Sequence, residues 1–139
     1  MAGKQPSQWI LIAKRLDTAA LGGFWEFPGG KIEAGEMARE CVVRELQEEL
    51  GLTIEVGQAL PALEHCYSHG HIRLHPFFCK HRAGKPRNLQ VAEHRWIRPS
   101  ELGDYRMPPG NGPLIAQIQS MLTEAQTRPA DNPGSPSFL

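Results

Sequence analysis

Three glutamates, Glu45, Glu48 and Glu49, stand at i, i+3 and i+4 in the most regular stretch of the chain. On a helix that spacing puts all three carboxylates on one face. Residues 36–50 read as that helix, with Ala38, Cys41, Val42 and Leu46 forming an apolar stripe. Gly51 stands where a left-handed C-cap ends a helix, and Leu52 follows as its apolar partner. Like charges so placed repel by about 0.2–0.5 kcal/mol per pair, so the face calls for positive charge. Arg44, four before Glu48, supplies one charge. A hard divalent cation held by carboxylate oxygens would supply more. Upstream, Pro28–Gly29–Gly30 lets the backbone approach a ligand closely. The loop from Gly30 to Gly35 then feeds the helix start, where Glu36 favours the helix dipole. A glycine-rich turn, a loop and an acid-faced helix in that order describe a metal cage beside a phosphate-sized gap.

The remaining elements are short. Trp9 to Ala13 reads as a buried strand, and Phe24 to Phe27 as a brief one stopped by the glycine turn. Thr53 to Val56 reads as an edge strand. From Leu63 to Cys79 the pattern alternates, with His69, His71, Arg73 and His75 on one face. Glu93 to Ile97 is a further strand, and Pro99 to Leu102 starts a helical turn. Pro108 to Gly112 is a rigid loop, and Pro113 opens a helix whose apolar face runs from Leu114 to Ala125. The expected fold class is α+β or α/β, a mixed sheet between helices, in one domain over 1–126. Residues 127–139, polar with three prolines, are expected to form a disordered tail.

Composition bounds the function. Of 139 residues, 40% are hydrophobic, enough for a core, and fifteen basic residues balance fifteen acidic ones. Zero net charge argues against stable nucleic-acid binding, which normally needs a basic excess. No apolar run is long enough to span a membrane. Three cysteines without framework spacing fit a reducing cytoplasm. His65, His69, His71, His75 and His81 with Cys66 and Cys79 invite a zinc reading, but lack zinc-ligand spacing and alternate between two strand faces.

The stretch from Gly30 to Leu52 resembles the Nudix box at every fixed position. It runs Gly30, five residues, Glu36, seven residues, Arg44–Glu45–Leu46, one residue, Glu48–Glu49, one residue, Gly51–Leu52. The flanks WEFPGGKIE (25–33), VVRELQEELG (42–51) and PPGNGPLIAQI (108–118) are similar to the MutT-type branch of that family. The resemblance covers roughly residues 9 to 125. It implies a Nudix fold and metal-dependent hydrolysis of a nucleoside triphosphate, such as 8-oxo-dGTP, to the monophosphate and pyrophosphate. Glu45, Glu48 and Glu49 would ligate Mg²⁺, or Mn²⁺, with a backbone carbonyl of Gly29 or Gly30. Arg44 would orient the carboxylates, Glu36 would tie the loop to the helix, and Gly51 would close the motif. Arg15 is a candidate phosphate or ribose contact, and Phe27 and Tyr67 are candidate base contacts. Asn111 occupies the position that reads the purine edge, where an amide offers one acceptor and two donors. Alternatives are hydrolysis of CTP, 5-methyl-dCTP or another nucleoside diphosphate derivative, or a non-catalytic nucleotide-binding module.

Two departures from the family pattern stand out. Only eight polar residues precede Trp9, so the first strand is missing or truncated, and a neighbouring chain in a homodimer could fill its place. A fourth carboxylate, expected six residues before Trp96, is Gln90, and Glu93 is the substitute candidate for general base.

Overall fold

The computed structural model describes residues 9–18, 22–67, 70–121 and 136–138. Strand β1 (Trp9–Lys14) is the central element, because its apolar run WILIAK has both faces covered. One edge pairs antiparallel with β7 (Glu93–Ile97) along Ile10 to Lys14. The other edge is shared. β2 (Trp25–Glu26) pairs antiparallel at Ala13 and Lys14, and β8 (Pro136–Phe138) pairs parallel at Trp9 and Ile10. β8 also pairs antiparallel with β6 (Phe77–Ala83), and β6 with β3 (Thr53–Ala59). β4 (Leu63–Tyr67) and β5 (Gly70–Leu74) form a separate two-stranded sheet.

Period two sorts the residues of β1 onto two faces. Trp9, Leu11 and Ala13 join Trp96, Ile54, Phe77 and Cys79 under helix α1 (Ala38–Leu50), whose Leu46 and Leu50 are fully buried. Ile10 and Ile12 join Trp25, Phe78, Ile97 and Leu102 under helix α2 (Gly112–Met121), through Leu114 and Ile118. The mixed sheet is therefore sandwiched between helices, as expected.

Two readings change. The helix begins at Ala38, with Met37 as N-cap, rather than at Glu36. Gly35 turns the chain at φ 77°, and Glu36 is held outside by its N–H donating to the Glu33 carbonyl at 3.0 Å. The alternating run 63–79 is three strands, because Pro76 cannot donate to a ladder and the chain reverses between Tyr67 and Gly70. His69 lies outside the described residues. Of the segment expected to be a disordered tail, only 136–138 is described, and it is a strand. That strand stands between β1 and β6. No helix among the described residues is long and apolar enough to cross a membrane.

Candidate active site

Helix α1 is fixed at both ends, which sets the height of its glutamates above the sheet. At the start, the Met37 N–H donates to Glu40 Oε1 at 2.8 Å. At the end, Gly51 is left-handed (φ 70°, ψ 27°), and its N–H donates to the Gln47 carbonyl at 3.0 Å. The Gly51 bond is the 5→1 closure of a left-handed cap, and the Leu52 N–H reaches back to the Leu46 carbonyl at 3.2 Å. The loop 87–90 satisfies the last carbonyls. Arg87 N–H donates to Leu50, and those of Leu89 and Gln90 to Glu49, at 2.9 to 3.1 Å.

Arg44 is the hub of the acidic face. Its Nε and Nη2 grip Glu36 at 2.7 and 3.0 Å, and its Nη1 reaches Glu45 at 2.8 Å and Glu48 at 3.2 Å. Nη2 also donates to the Lys31 carbonyl at 3.1 Å. One guanidinium thus ties the glycine loop, Glu36 and two helix carboxylates together. The bidentate grip holds the Glu36 carboxyl far below the usual range, at about 2. The same hydrogen bonds push Arg44 upward, so it stays charged.

Behind Arg44 the carboxylates crowd. Glu49 is pushed up to about 8, first by burial, then by the charges of Glu26 and Glu45, with a hydrogen bond to Glu45 favouring the protonated form. The Gly29 N–H approaches Glu49 Oε1 at 3.4 Å and opposes that rise. Glu26 is also raised, by burial, although Arg15 Nη1 pairs with it at 2.8 Å. Gly30 is packed against Glu45 so closely that a Cβ there would lie 2.3 Å from Glu45 Cδ. Only glycine leaves room for the carboxylate at the turn.

Among the described residues no three acidic, histidine or cysteine side chains are gathered to hold an ion, but carboxylate and backbone oxygens are the donors a hard divalent cation takes. Carboxylate oxygens of Glu45 and Glu49 converge beside the Gly29–Gly30 backbone. Glu49's raised affinity for a proton marks a position where positive charge is short. Glu48 is more exposed, at 47%, and stands at the outer end of the same row.

Other expected site residues fall in different places. Phe27 is half-buried and packs into the cluster under α2. Asn111 is buried at the end of the 3₁₀ turn Pro109–Asn111, its N–H on the Pro108 carbonyl at 3.0 Å. β4 packs against that turn, and Tyr67 ends β4 opposite Gly70. Phe27 therefore lies on the α2 side of the sheet and the carboxylates on the α1 side, joined around the edge strand β2. Glu93 is not brought to the carboxylates. It shares a face with Arg95 and Ile97, away from α1, and pairs with Arg95 Nη2 at 2.8 Å. Gln90 instead lies with its N–H on the Glu49 carbonyl. The strand histidines and cysteines do not gather into one cluster among the described residues: His81 is buried on β6, and Cys66 is exposed on β4 with only His71 beside it. Glu26 was missed in the sequence. Its signal was alternation: in a two-residue strand with Trp25 facing one core, Glu26 must face the other, next to the glycine turn.

A family model for the NUDIX domain matches residues 2–117, most of the chain. The protein belongs to the Nudix family. The fold is the Nudix fold, and the chain is a Nudix hydrolase. The Nudix hydrolases generally use divalent metal ions, in keeping with the donor set. One relative is the CTP pyrophosphohydrolase of Escherichia coli, 35% identical over 88% of this chain and 88% of its own length. Another is the 8-oxo-dGTP diphosphatase of Escherichia coli, also 35% identical, over 81% of this chain and 87% of that one. Among solved structures, that of the E. coli ORF135 protein matches with a TM-score of 0.67 at 27% identity, over 94% of this chain and 99% of that one.

Proposed function

We propose that this Nudix protein is a nucleoside triphosphate pyrophosphohydrolase that removes oxidised dGTP, 8-oxo-dGTP, as the monophosphate and pyrophosphate. The observation that carries the reading is the Arg44 hub, which ties Glu45 and Glu48 to Glu36 and the Lys31 carbonyl while Glu49 is crowded by Glu26 and Glu45. Phosphoryl transfer needs positioning and charge neutralisation more than covalent help. Mg²⁺, or Mn²⁺, would be held by Glu45, Glu48 and Glu49 with a carbonyl of Gly29 or Gly30. Bound there, the ion supplies a water nucleophile and screens the phosphates. Arg44 aims Glu45 and Glu48 through its Nη1 hydrogen bonds. Glu36 holds Arg44 to the loop, and Gly51 fixes the helix height. Arg15, paired with Glu26, is the candidate contact for a phosphate entering around β2. Phe27 and Tyr67 offer apolar contact to the base, and Asn111 offers donors and an acceptor to an oxidised guanine edge.

A second reading, CTP or a modified dCTP, is favoured by the similarity to the CTP pyrophosphohydrolase. A panel of 8-oxo-dGTP, dGTP, CTP and 5-methyl-dCTP, followed by pyrophosphate release, separates the two. The expected order puts 8-oxo-dGTP first in kcat/KM, and Asn111→Ala should erase that preference more than it lowers the rate on CTP. An equal or higher kcat/KM for CTP would transfer the assignment to the second reading.

A further inference from the structure

The β4–β5 hairpin carries a second set of reactive groups. Cys66 and His71 are direct cross-strand partners, and so are Glu64 and Arg73. Period two puts Glu64 and Cys66 on one face of β4. Leu63, of opposite parity, packs into the core under α2, so the face of Cys66 looks outward. The pairing brings Cys66 Sγ to 3.1 Å from His71 Nδ1. On the far side of the ring, His71 Nε2 stands 3.0 Å from Glu64 Oε1. Glu64 Oε2 accepts from Arg73 Nη1 at 3.1 Å, which pins the carboxylate. A thiol, a base beside it, and a carboxylate that orients the base are the three parts of an activated nucleophile. With Nε2–H donated to Glu64, the ring presents the lone pair of Nδ1 to the thiol. The side chains of His71 and Glu64 are about half exposed, and Cys66 is exposed, whereas Cys41 and Cys79 are buried.

We propose that Cys66 is a modification site, a thiol that His71 deprotonates and that hydroperoxides oxidise to a sulfenic acid. The thiol proton passes to His71 Nδ1, and Glu64 stabilises the imidazolium. The thiolate sulfur attacks the distal peroxide oxygen. The S–O bond forms as the O–O bond breaks, sulfur losing two electrons and the peroxide gaining them. The proton on His71 goes to the departing oxygen, which leaves as water or an alcohol. The sulfenic acid remains reversible by thiols. The site shares no residue with the carboxylate face of α1, so its chemistry and nucleotide hydrolysis are separable.

The test uses the full chain with hydrogen peroxide and dimedone, a sulfenic-acid trap, followed by peptide mass mapping. The expected adduct is on Cys66, with Cys41 and Cys79 untouched. His71→Ala and His71→Gln should each slow labelling about tenfold or more, the scale of a lost general base, and Glu64→Gln should slow it less. Alkylation by iodoacetamide should fall in parallel. Cys66→Ser should lose the adduct and keep its hydrolytic rate, which reports an intact fold. Equal labelling rates in the wild type and both His71 variants would overturn the proposal, as would no adduct on Cys66 or equally rapid labelling of the buried cysteines.

Discussion

Glu48 and Glu49 are neighbours in sequence but not in environment. Glu48 reaches water and Arg44, whereas Glu49 turns towards Glu26, Glu45 and the glycine turn. Without metal, the folded chain holds a proton on Glu49 up to about pH 8, where an unfolded carboxyl lets it go near 4.5. Between those values the folded state binds more protons. Stability of the metal-free chain therefore falls as pH rises from about 4.5 to about 8. Thermal melts with a chelator across that range should show the slope, and Glu49→Gln should flatten it. A divalent cation competes with that proton, so stabilisation by Mg²⁺ should grow with pH. Gly30 makes a different demand. In Gly30→Ala the new Cβ meets the Glu45 carboxyl at 2.3 to 2.7 Å. The carboxylate can swing away, so the melting temperature should change little. A catalytic oxygen displaced by about 1 Å costs on the order of 100-fold in rate. Steady-state kinetics on the preferred nucleotide would read that loss, and an unchanged kcat/KM would remove Glu45 from its role.

Helix α1 shows how an element turns a motif into a position. Its C-terminal glycine is left-handed, and a Cβ there would also meet the Arg87 guanidinium at 2.9 Å. Gly51→Ala should cost about 1–2 kcal/mol in urea unfolding, the price of a left-handed non-glycine residue. Leu50→Ala, at a fully buried position, should cost about 2–5 kcal/mol by the same measure. The helix was legible in the sequence because its apolar stripe, charged face and cap all have fixed periods. The carboxylate spacing was legible for the same reason. Less local features were not. Glu36 looked like the first helical residue, but the Gly35 turn, the bond to Glu33 and the ion pair with Arg44, eight residues on, hold it outside. Glu93 looked near enough to replace an absent carboxylate, yet strand parity turns it to Arg95 on the other face. Glu26 carried no motif of its own and acquires its part only when β2 is laid beside Ala13.

At the scale of the molecule, the sheet is two groups of strands joined by β8. β2, β1 and β7 lie on one side, and β6 and β3 on the other. A chain ending at residue 130 would leave Trp9 and Ile10 of β1, and Phe78 to Lys80 of β6, without those ladder partners. A handful of lost backbone hydrogen bonds at about 1 kcal/mol each predicts a loss of about 2–4 kcal/mol. Calorimetry of that truncated chain reads it. An unchanged melting temperature would mean that the two helices alone hold the sheet together. The same strand sets an order of assembly. Trp9 pairs with Ser137, 128 positions away, whereas Tyr67 of β4 pairs with Gly70 of β5, three positions on. Contacts of such separation carry the largest chain-closure entropy and form late. In refolding, the β4–β5 hairpin and the β3–β6 ladder should gain amide protection before β1 does at Trp9 and Ile10. The protein's speed limit is then the search of one short distant segment for a gap between two groups of strands already made.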